Sequence, residues 1–252
     1  MQPKVSVIIP CYNYARYLPH AVDSVFEQDV ELIIVNDGSS DETESVAKAI
    51  VYDWLCAEKK VNFINLKENI GMPMARNEGL VASTGEFILF LDADDMRISG
   101  SIQKQLDYFG DHPEVMVTWG WALELRGEYS FSEAEQQKHK LHWHSAEVNP
   151  QTVLYRREVF EKYGGFYEGL RSGTDKEMCM RLGLHPDSPF HGRLKSKKLK
   201  IPLAYYRKHP DQTHKLRKAD PIWQHETKHI QKDRLKQVQR EGITRQNTRF
   251  PI

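Results

Sequence analysis

Cysteine is scarce in this chain: three residues in 252, at Cys11, Cys56 and Cys179, odd in number and never in a CxxC pair. That excludes a disulfide framework and a thiolate zinc site, and it fits a reducing compartment. Long apolar runs are missing too. None approaches the roughly 18–20 residues needed to cross a bilayer, so an integral membrane protein is not expected. There is no net charge, with 35 Lys and Arg against 35 Asp and Glu. No internal repeat or low-complexity linker marks a firm domain boundary. Met1-Gln2-Pro3-Lys4 runs straight into a strand-like segment, which leaves no room for a signal peptide, and the expected location is cytoplasmic.

What is present reads as a globular α/β protein. Hydrophobic residues make up 40% and charged residues 28%, and a chain of this size buries a core without disulfides or a structural metal. The balanced charge is unevenly spread. Between Gly192 and Lys218 there are ten Lys or Arg and one acid, Asp211. That stretch is either a solvated face or a cradle for phosphates.

Strands and helices alternate over the first hundred residues. Val5–Ile9 is a near-continuous apolar run suited to a buried parallel strand, followed by a helix over Leu18–Gln28. Glu31–Val35 is a second buried strand. Ser40 or Asp41 can cap the next helix, which runs to about Glu58. Val61–Leu66 reads as a strand, Met74–Ala82 as a helix and Glu86–Leu91 as a strand. This alternation predicts a Rossmann-like, mostly parallel sheet flanked by helices. The second half is less regular. Strands are expected at Val115–Leu125 and Lys200–Tyr206, helices at Arg157–Lys162, Thr174–Leu184 and Pro221–Glu241, and a loop or loose helix over Tyr129–His144. The division this suggests is 1–98, 99–218 and a C-terminal helical extension, 219–252.

Open parallel sheets bind ligands outside the carboxyl ends of their strands. Three such ends carry polar residues here: Pro10-Cys11-Tyr12-Asn13, Asn36-Asp37-Gly38 and Asp92-Ala93-Asp94-Asp95. Three carboxylates within four residues repel one another, and a hard cation relieves that repulsion; bound Mg²⁺ or Mn²⁺ can then bridge a nucleotide diphosphate. The same triplet could instead be a turn rich in capping Asp. Asp37 could accept hydrogen bonds from a base edge, with Gly38 allowing close approach of a ligand, or could sit in a plain turn. Arg76, at the start of a helix, could contact phosphate or form a structural salt bridge. Asp175 could cap its helix or take a proton from a hydroxyl. His209 or His214 could complete a metal shell.

Together these pieces resemble glycosyltransferase family 2, the inverting enzymes of the GT-A fold. The matching residues are Val5–Asn13, Val35–Asp41, Gly71 through Arg76-Asn77, Asp92-Ala93-Asp94-Asp95 as the DxD motif, Gly164-Gly165-Phe166, and Thr174-Asp175 with Arg181. The resemblance covers roughly residues 4–210. It implies a GT-A domain over 1–218, with a nucleotide-sugar-binding half (1–98) and a mixed acceptor-side half (99–218). By it, Pro10, Tyr12, Asn13 and Asp37 line the nucleoside pocket, with Asp37 on the base. Gly71, Arg76, Asp92 and Ala93 belong to the same donor site. Asp94 binds the metal and diphosphate, and His209 is the late His that can reach them, with His214 a competitor. Asp175 is the general base, although Thr174 stands where the family usually has Glu.

The implied activity is a metal-dependent hexosyl transfer from a nucleotide-diphosphate sugar to an acceptor hydroxyl by single displacement, with Mn²⁺ or Mg²⁺ as cofactor. UDP is favoured by analogy. The acceptor could be a glycan, a lipid-linked glycan, a polyol phosphate, a protein or nucleic acid, and the basic stretch tilts toward an anionic one. Self-association is left open. Two rivals stand beside this reading: a catalytically inactive nucleotide-binding GT-A module, and a nucleotidyltransferase that makes sugar nucleotides. The second would carry a Gly-rich basic loop after the first strand, whereas Cys11–Arg16 has no glycine.

Overall fold

The computed structural model describes residues 4–144, 148–170, 173–210, 212, 232–233 and 236–237. Strand β1 (Val5–Cys11) is buried along its whole length, as its unbroken apolar pattern requires. On one side it pairs in parallel with β2 (Val30–Asn36), which in turn pairs with β3 (Val61–Asn65). On the other side lies β4 (Phe87–Phe90), also parallel. Helices α1 (Leu18–Phe26) and α2 (Thr43–Cys56) cover one face, where Val5, Val7 and Ile9 pack with Leu18, Val22, Ile50 and Trp54. Helix α3 (Met72–Ala82) covers the other, where Ile8 packs with Ala75 and Leu80. Gly79 lets α3 lie directly on the sheet, because a Cβ there would stand 2.3 Å from Ile8 Cγ2.

The chain then places β5 (Met96–Arg97), α4 (Ser101–Asp111), β6 (Val117–Arg126), α5 (Phe131–Gln137), β7 (His142–Trp143), β8 (Leu154–Arg156), α6 (Glu158–Tyr163), α7 (Thr174–Leu182) and β9 (Ser196–Lys208). One sheet joins both halves in the order β3-β2-β1-β4-β8-β6-β9-β5, with β7 on β6. The β4–β8, β8–β6 and β9–β5 pairings are antiparallel, so this half is mixed. Strand β5 begins six residues after β4 ends, yet lies four positions away in the sheet. Four flat spacings would span about 19 Å, close to the full reach of six extended residues. The connection is a turn, with the Asp95 N–H donating to the Asp92 carbonyl at 3.0 Å. The sheet therefore curls until its far strand approaches β4.

Several boundaries differ from the sequence reading for local reasons. Helix α2 stops at Cys56 and not near Glu58, whose left-handed φ of 56° cannot continue a helix. The cap position of α2 is Glu42, and of the two expected capping residues it is Asp41 whose carboxylate accepts from Thr43 N–H, at 3.0 Å. Helix α3 starts at Met72, two residues earlier than expected, because Pro73 suits a first turn. Helix α4 was not anticipated. Over Tyr129–His144, where a loop or loose helix is expected, a short helix, α5, forms behind a reciprocal Ser130–Glu133 capping box. The expected helix over Pro221–Glu241, the extension 219–252 and His214 lie outside the described residues, apart from the isolated pairs 232–233 and 236–237. Among the described residues no helix is long and apolar enough to cross a membrane.

Candidate active site

Parallel pairing brings the carboxyl ends of β1, β2 and β4 to one edge, where the polar segments meet. Pro10 is buried at the end of β1, and Tyr12 stands 45% exposed just beyond it. Asn13 takes a left-handed φ of 58° and joins the first two loops. Its backbone N–H donates to Ser39 Oγ at 2.9 Å, and its side-chain oxygen accepts from Ser40 N–H at 2.8 Å. Asn13 thus fixes the loop geometry at this edge.

Asp37 is buried, and its two carboxylate oxygens accept from Ile70 N–H at 2.7 Å and Gly71 N–H at 3.0 Å. Burial holds its carboxyl above the usual range, and those two amides oppose the shift. Asp37 therefore ties the end of β2 to the segment that starts α3. The expected role of Gly38, to admit a ligand to the backbone, is corrected. At φ 65°, its space is taken by this chain's own Glu68–Asn69 backbone, since a Cβ would lie 2.3 Å from Glu68 C.

Arg76 rises from the first half of α3 and is fully buried. Its Nη2 donates to Asp92 Oδ1 at 2.7 Å and its Nη1 to Asp175 Oδ1 at 2.5 Å. Of the two roles open to Arg76, the salt bridge is the one formed. Burial works against its charge, but Asp175 and Asp92 outweigh that and hold the guanidinium protonated. Asp92 is 27% exposed and Asp175 38% exposed at their side chains. Despite that exposure, the protein packed around Asp175 raises its carboxyl above the usual range; Arg76 opposes this and the Asp92 charge adds to it.

Asp94 Oδ2 lies 3.0 Å from His209 Nε2. The imidazole is packed by Tyr17 and Tyr14, with ring centroids at 4.6 and 5.7 Å. Asp95 is buried and accepts from Arg207 N–H at 2.8 Å. Burial pushes its carboxyl well up, with Asp94 and Asp92 adding to the shift. The Arg207 side chain donates to the carbonyls of Asp94, Gly127 and Tyr129, and so braces the carboxylate turn from β9. Ala93 is buried between these carboxylates. Tyr14, Tyr17 and the bracing role of Arg207 were not singled out from sequence, where Asp95 figured only as the third carboxylate of the cluster; the placing of Arg207 two residues before His209 gave a hint.

Among the described residues, no three His, Cys, Asp or Glu side chains converge as a ready-made metal site. Asp94 and His209 offer one carboxylate and one imidazole side by side. That suits an octahedral cation that keeps several waters and takes few protein ligands alongside substrate phosphates. Glu177 is unavailable as a proton acceptor: it is buried, with Arg181 Nε donating to it at 2.8 Å. Among the described residues, the basic stretch meets the carboxylate turn through Arg207. Lys195, Lys197, Lys198 and Lys200 are exposed on and just before the amino half of β9. Lys198 pairs with Trp119 and Arg207 with Leu125 of β6, so at about 3.3 Å per residue Lys198 sits roughly 20 Å from Arg207. His214 and most of residues 211–218 lie outside the described residues.

Residues 6–164 match the model of Glycosyl transferase family 2. An uncharacterised glycosyltransferase of Nostoc is 33% identical over 84% of this chain and 66% of its own length. The minor teichoic acid biosynthesis protein GgaB of Bacillus subtilis is 38% identical over 75% of this chain and 23% of its own. The chain thus spans less than two thirds of the curated relatives it matches. Staphylococcus aureus TarS 1–349 in complex with UDP-GlcNAc superposes with a TM-score of 0.63 at 23% identity, covering 83% of this chain and 60% of TarS. The mannosyltransferase PcManGT of Pyrobaculum calidifontis, in complex with GDP-Man and Mn²⁺, gives 0.64 at 20%, covering 86% and 60%. At such identities the likeness speaks to the fold alone. With the strand order, the carboxylate turn and the family match in agreement, the chain belongs to glycosyl transferase family 2 and has the GT-A fold.

Proposed function

We propose that this chain transfers a hexosyl group from a nucleotide-diphosphate sugar to an acceptor hydroxyl, with inversion at the anomeric carbon. The observation that carries the reading is that one buried arginine, Arg76, binds both Asp92 at the end of β4 and Asp175 at the start of α7. This puts a donor-side carboxylate and an acceptor-side base in one site. Residues 1–98 form the donor half, 99–218 the acceptor half, and 219–252 an extension to it.

Asp175 binds Arg76 through Oδ1 and keeps its side chain 38% exposed, which suits it to receive a proton. The acceptor hydroxyl gives its proton to Asp175 as its oxygen bonds to the anomeric carbon. The bond from that carbon to the diphosphate breaks, and the nucleoside diphosphate leaves with the electron pair. Asp94 and His209 would hold Mn²⁺ or Mg²⁺, which supplies charge neutralisation for the departing diphosphate. Pro10, Tyr12 and Asn13 line the nucleoside side, with Asp37 and Gly71 holding its wall. The DxD reading of Asp92-Ala93-Asp94 is supported by this arrangement.

UDP is the favoured donor nucleotide, supported by the UDP-GlcNAc complex of TarS; the GDP-Man complex of PcManGT makes GDP the competitor. An anionic polyol-phosphate acceptor is supported by the name of GgaB. The test is calorimetric titration with UDP, GDP, CDP and dTDP, each with and without Mn²⁺. Mn²⁺-dependent binding of one nucleotide is expected. A folded sample that binds none of the four overturns the reading in favour of an inactive module.

A further inference from the structure

The buried fork of Arg76 does more than fill space. A guanidinium is planar and rigid, so two carboxylates bound to its two terminal nitrogens hold fixed positions relative to each other. Arg76 is wholly buried, and its two terminal nitrogens are taken by the two carboxylates. Its Nε has no hydrogen-bond partner among the described residues, and the Phe166 ring lies 4.9 Å from Cζ against the guanidinium. Helix α3 cannot drift away from this position: Gly79 seats it on Ile8, and Asn77 grips both backbone groups of Phe166, at 2.8 and 2.9 Å.

We propose that Arg76 is a positioning residue that couples the two half-sites, so that the charge on Asp92 sets the proton affinity of Asp175. This rests on the reading of Asp175 as the base. Removing the Arg76 charge strands two carboxylates near each other and raises the affinity of Asp175 for a proton. Removing the Asp92 charge leaves the whole fork to Asp175 and lowers it. The two changes therefore act in opposite directions, although the first breaks both salt bridges of Arg76 and the second only one of them.

The other groups facing Asp175 leave this sign intact. Tyr155 of β8 and Cys179 of α7 both sense its charge, but burial pushes the tyrosine well above its ordinary value and the thiol to about 12. Both stay neutral across the working range. Glu177 on α7 is already paired with Arg181.

The experiment is a carboxyl-carbon NMR titration of the full chain, with the Asp175 signal assigned by its loss in Asp175→Asn. In Arg76→Gln the Asp175 midpoint should move up by about one pH unit, and in Asp92→Asn down by a similar amount. Midpoints that stay in place, or that move the same way in both variants, overturn the proposal. If Arg76→Gln does not fold, Asp92→Asn decides alone, because it keeps the Arg76–Asp175 bridge. The titration needs no substrate. If Asp175→Asn retains full transfer while the two midpoints still diverge, the base assignment fails and the coupling stands.

Discussion

Asp94 and His209 lie 115 residues apart in sequence and meet at 3.0 Å between Oδ2 and Nε2. The turn after β4 supplies one and the end of β9 the other, so the candidate cation site depends on the whole curled sheet. His209→Ala should weaken Mn²⁺-dependent nucleotide binding by ~10–100-fold and leave metal-independent binding unchanged. Asp94→Ala should abolish the metal dependence. Calorimetry with and without EDTA checks both, and an unaltered Mn²⁺ effect in Asp94→Ala would remove this pair as the ligand set.

Asp175→Asn should keep nucleotide binding and lower kcat by ~10²–10⁴-fold. Because the Asp175 carboxyl is raised, transfer by the intact enzyme should fall as pH drops through a value above ~4, where an unperturbed Asp titrates. A pH–rate profile on the purified enzyme checks this. An acid limb at or below ~4 would place the proton acceptor elsewhere, and Glu177 is already committed to Arg181.

Far from the site, Glu31 makes a separate prediction about stability. Burial pushes its carboxyl up, but Ser6, Lys60 and the Thr84 N–H together carry it below its ordinary value. A folded value below the unfolded one adds stability above ~4.5 that is lost as pH falls. Glu31→Gln should cost about 1–3 kcal/mol at neutral pH and make stability less sensitive to acid. Urea melts at pH 7 and pH 4 read the difference; equal losses at both values would refute the linkage.

Gly38→Ala should destabilise the fold by about 1–3 kcal/mol, since it combines a left-handed φ with a clash against Glu68 and Asn69. Thermal melting measures the loss. Gly100→Ala is the comparison: it shares a positive φ of 68° but meets nothing within 4 Å, so its loss should be smaller.

Where the chain repeats one pattern over many residues, its fold was readable in advance. The buried runs of β1, β2 and β4 and their intervening helices were located to within two residues, and the meeting of their ends follows from parallel pairing. The short strands β5, β7 and β8 were not foreseen, because two or three residues carry no periodicity and exist only through their partners. Helix α4 is different. Ile102, Gln105, Leu106 and Phe109 stand at helical spacing and are buried, so its signal was present and passed over. At the site, the carboxylates were visible as a cluster, but Arg76 stood open between a phosphate contact and a structural salt bridge. Its burial between Asp92 and Asp175 is a tertiary fact that no local window contains.

The curl of the sheet gives the turn Leu91–Asp95 a second duty. Those five residues span from β4 to the strand at the opposite end of the sheet, with Leu91 N–H bonded back to Ile8 and Ile98 N–H to Leu203. The segment acts as the clasp of a hoop, and its length is fixed by the circumference it closes. A residue added or removed should spring the β5–β9 pairing and part Asp94 from His209 in the same move, so relatives that keep this topology should keep the length of the segment.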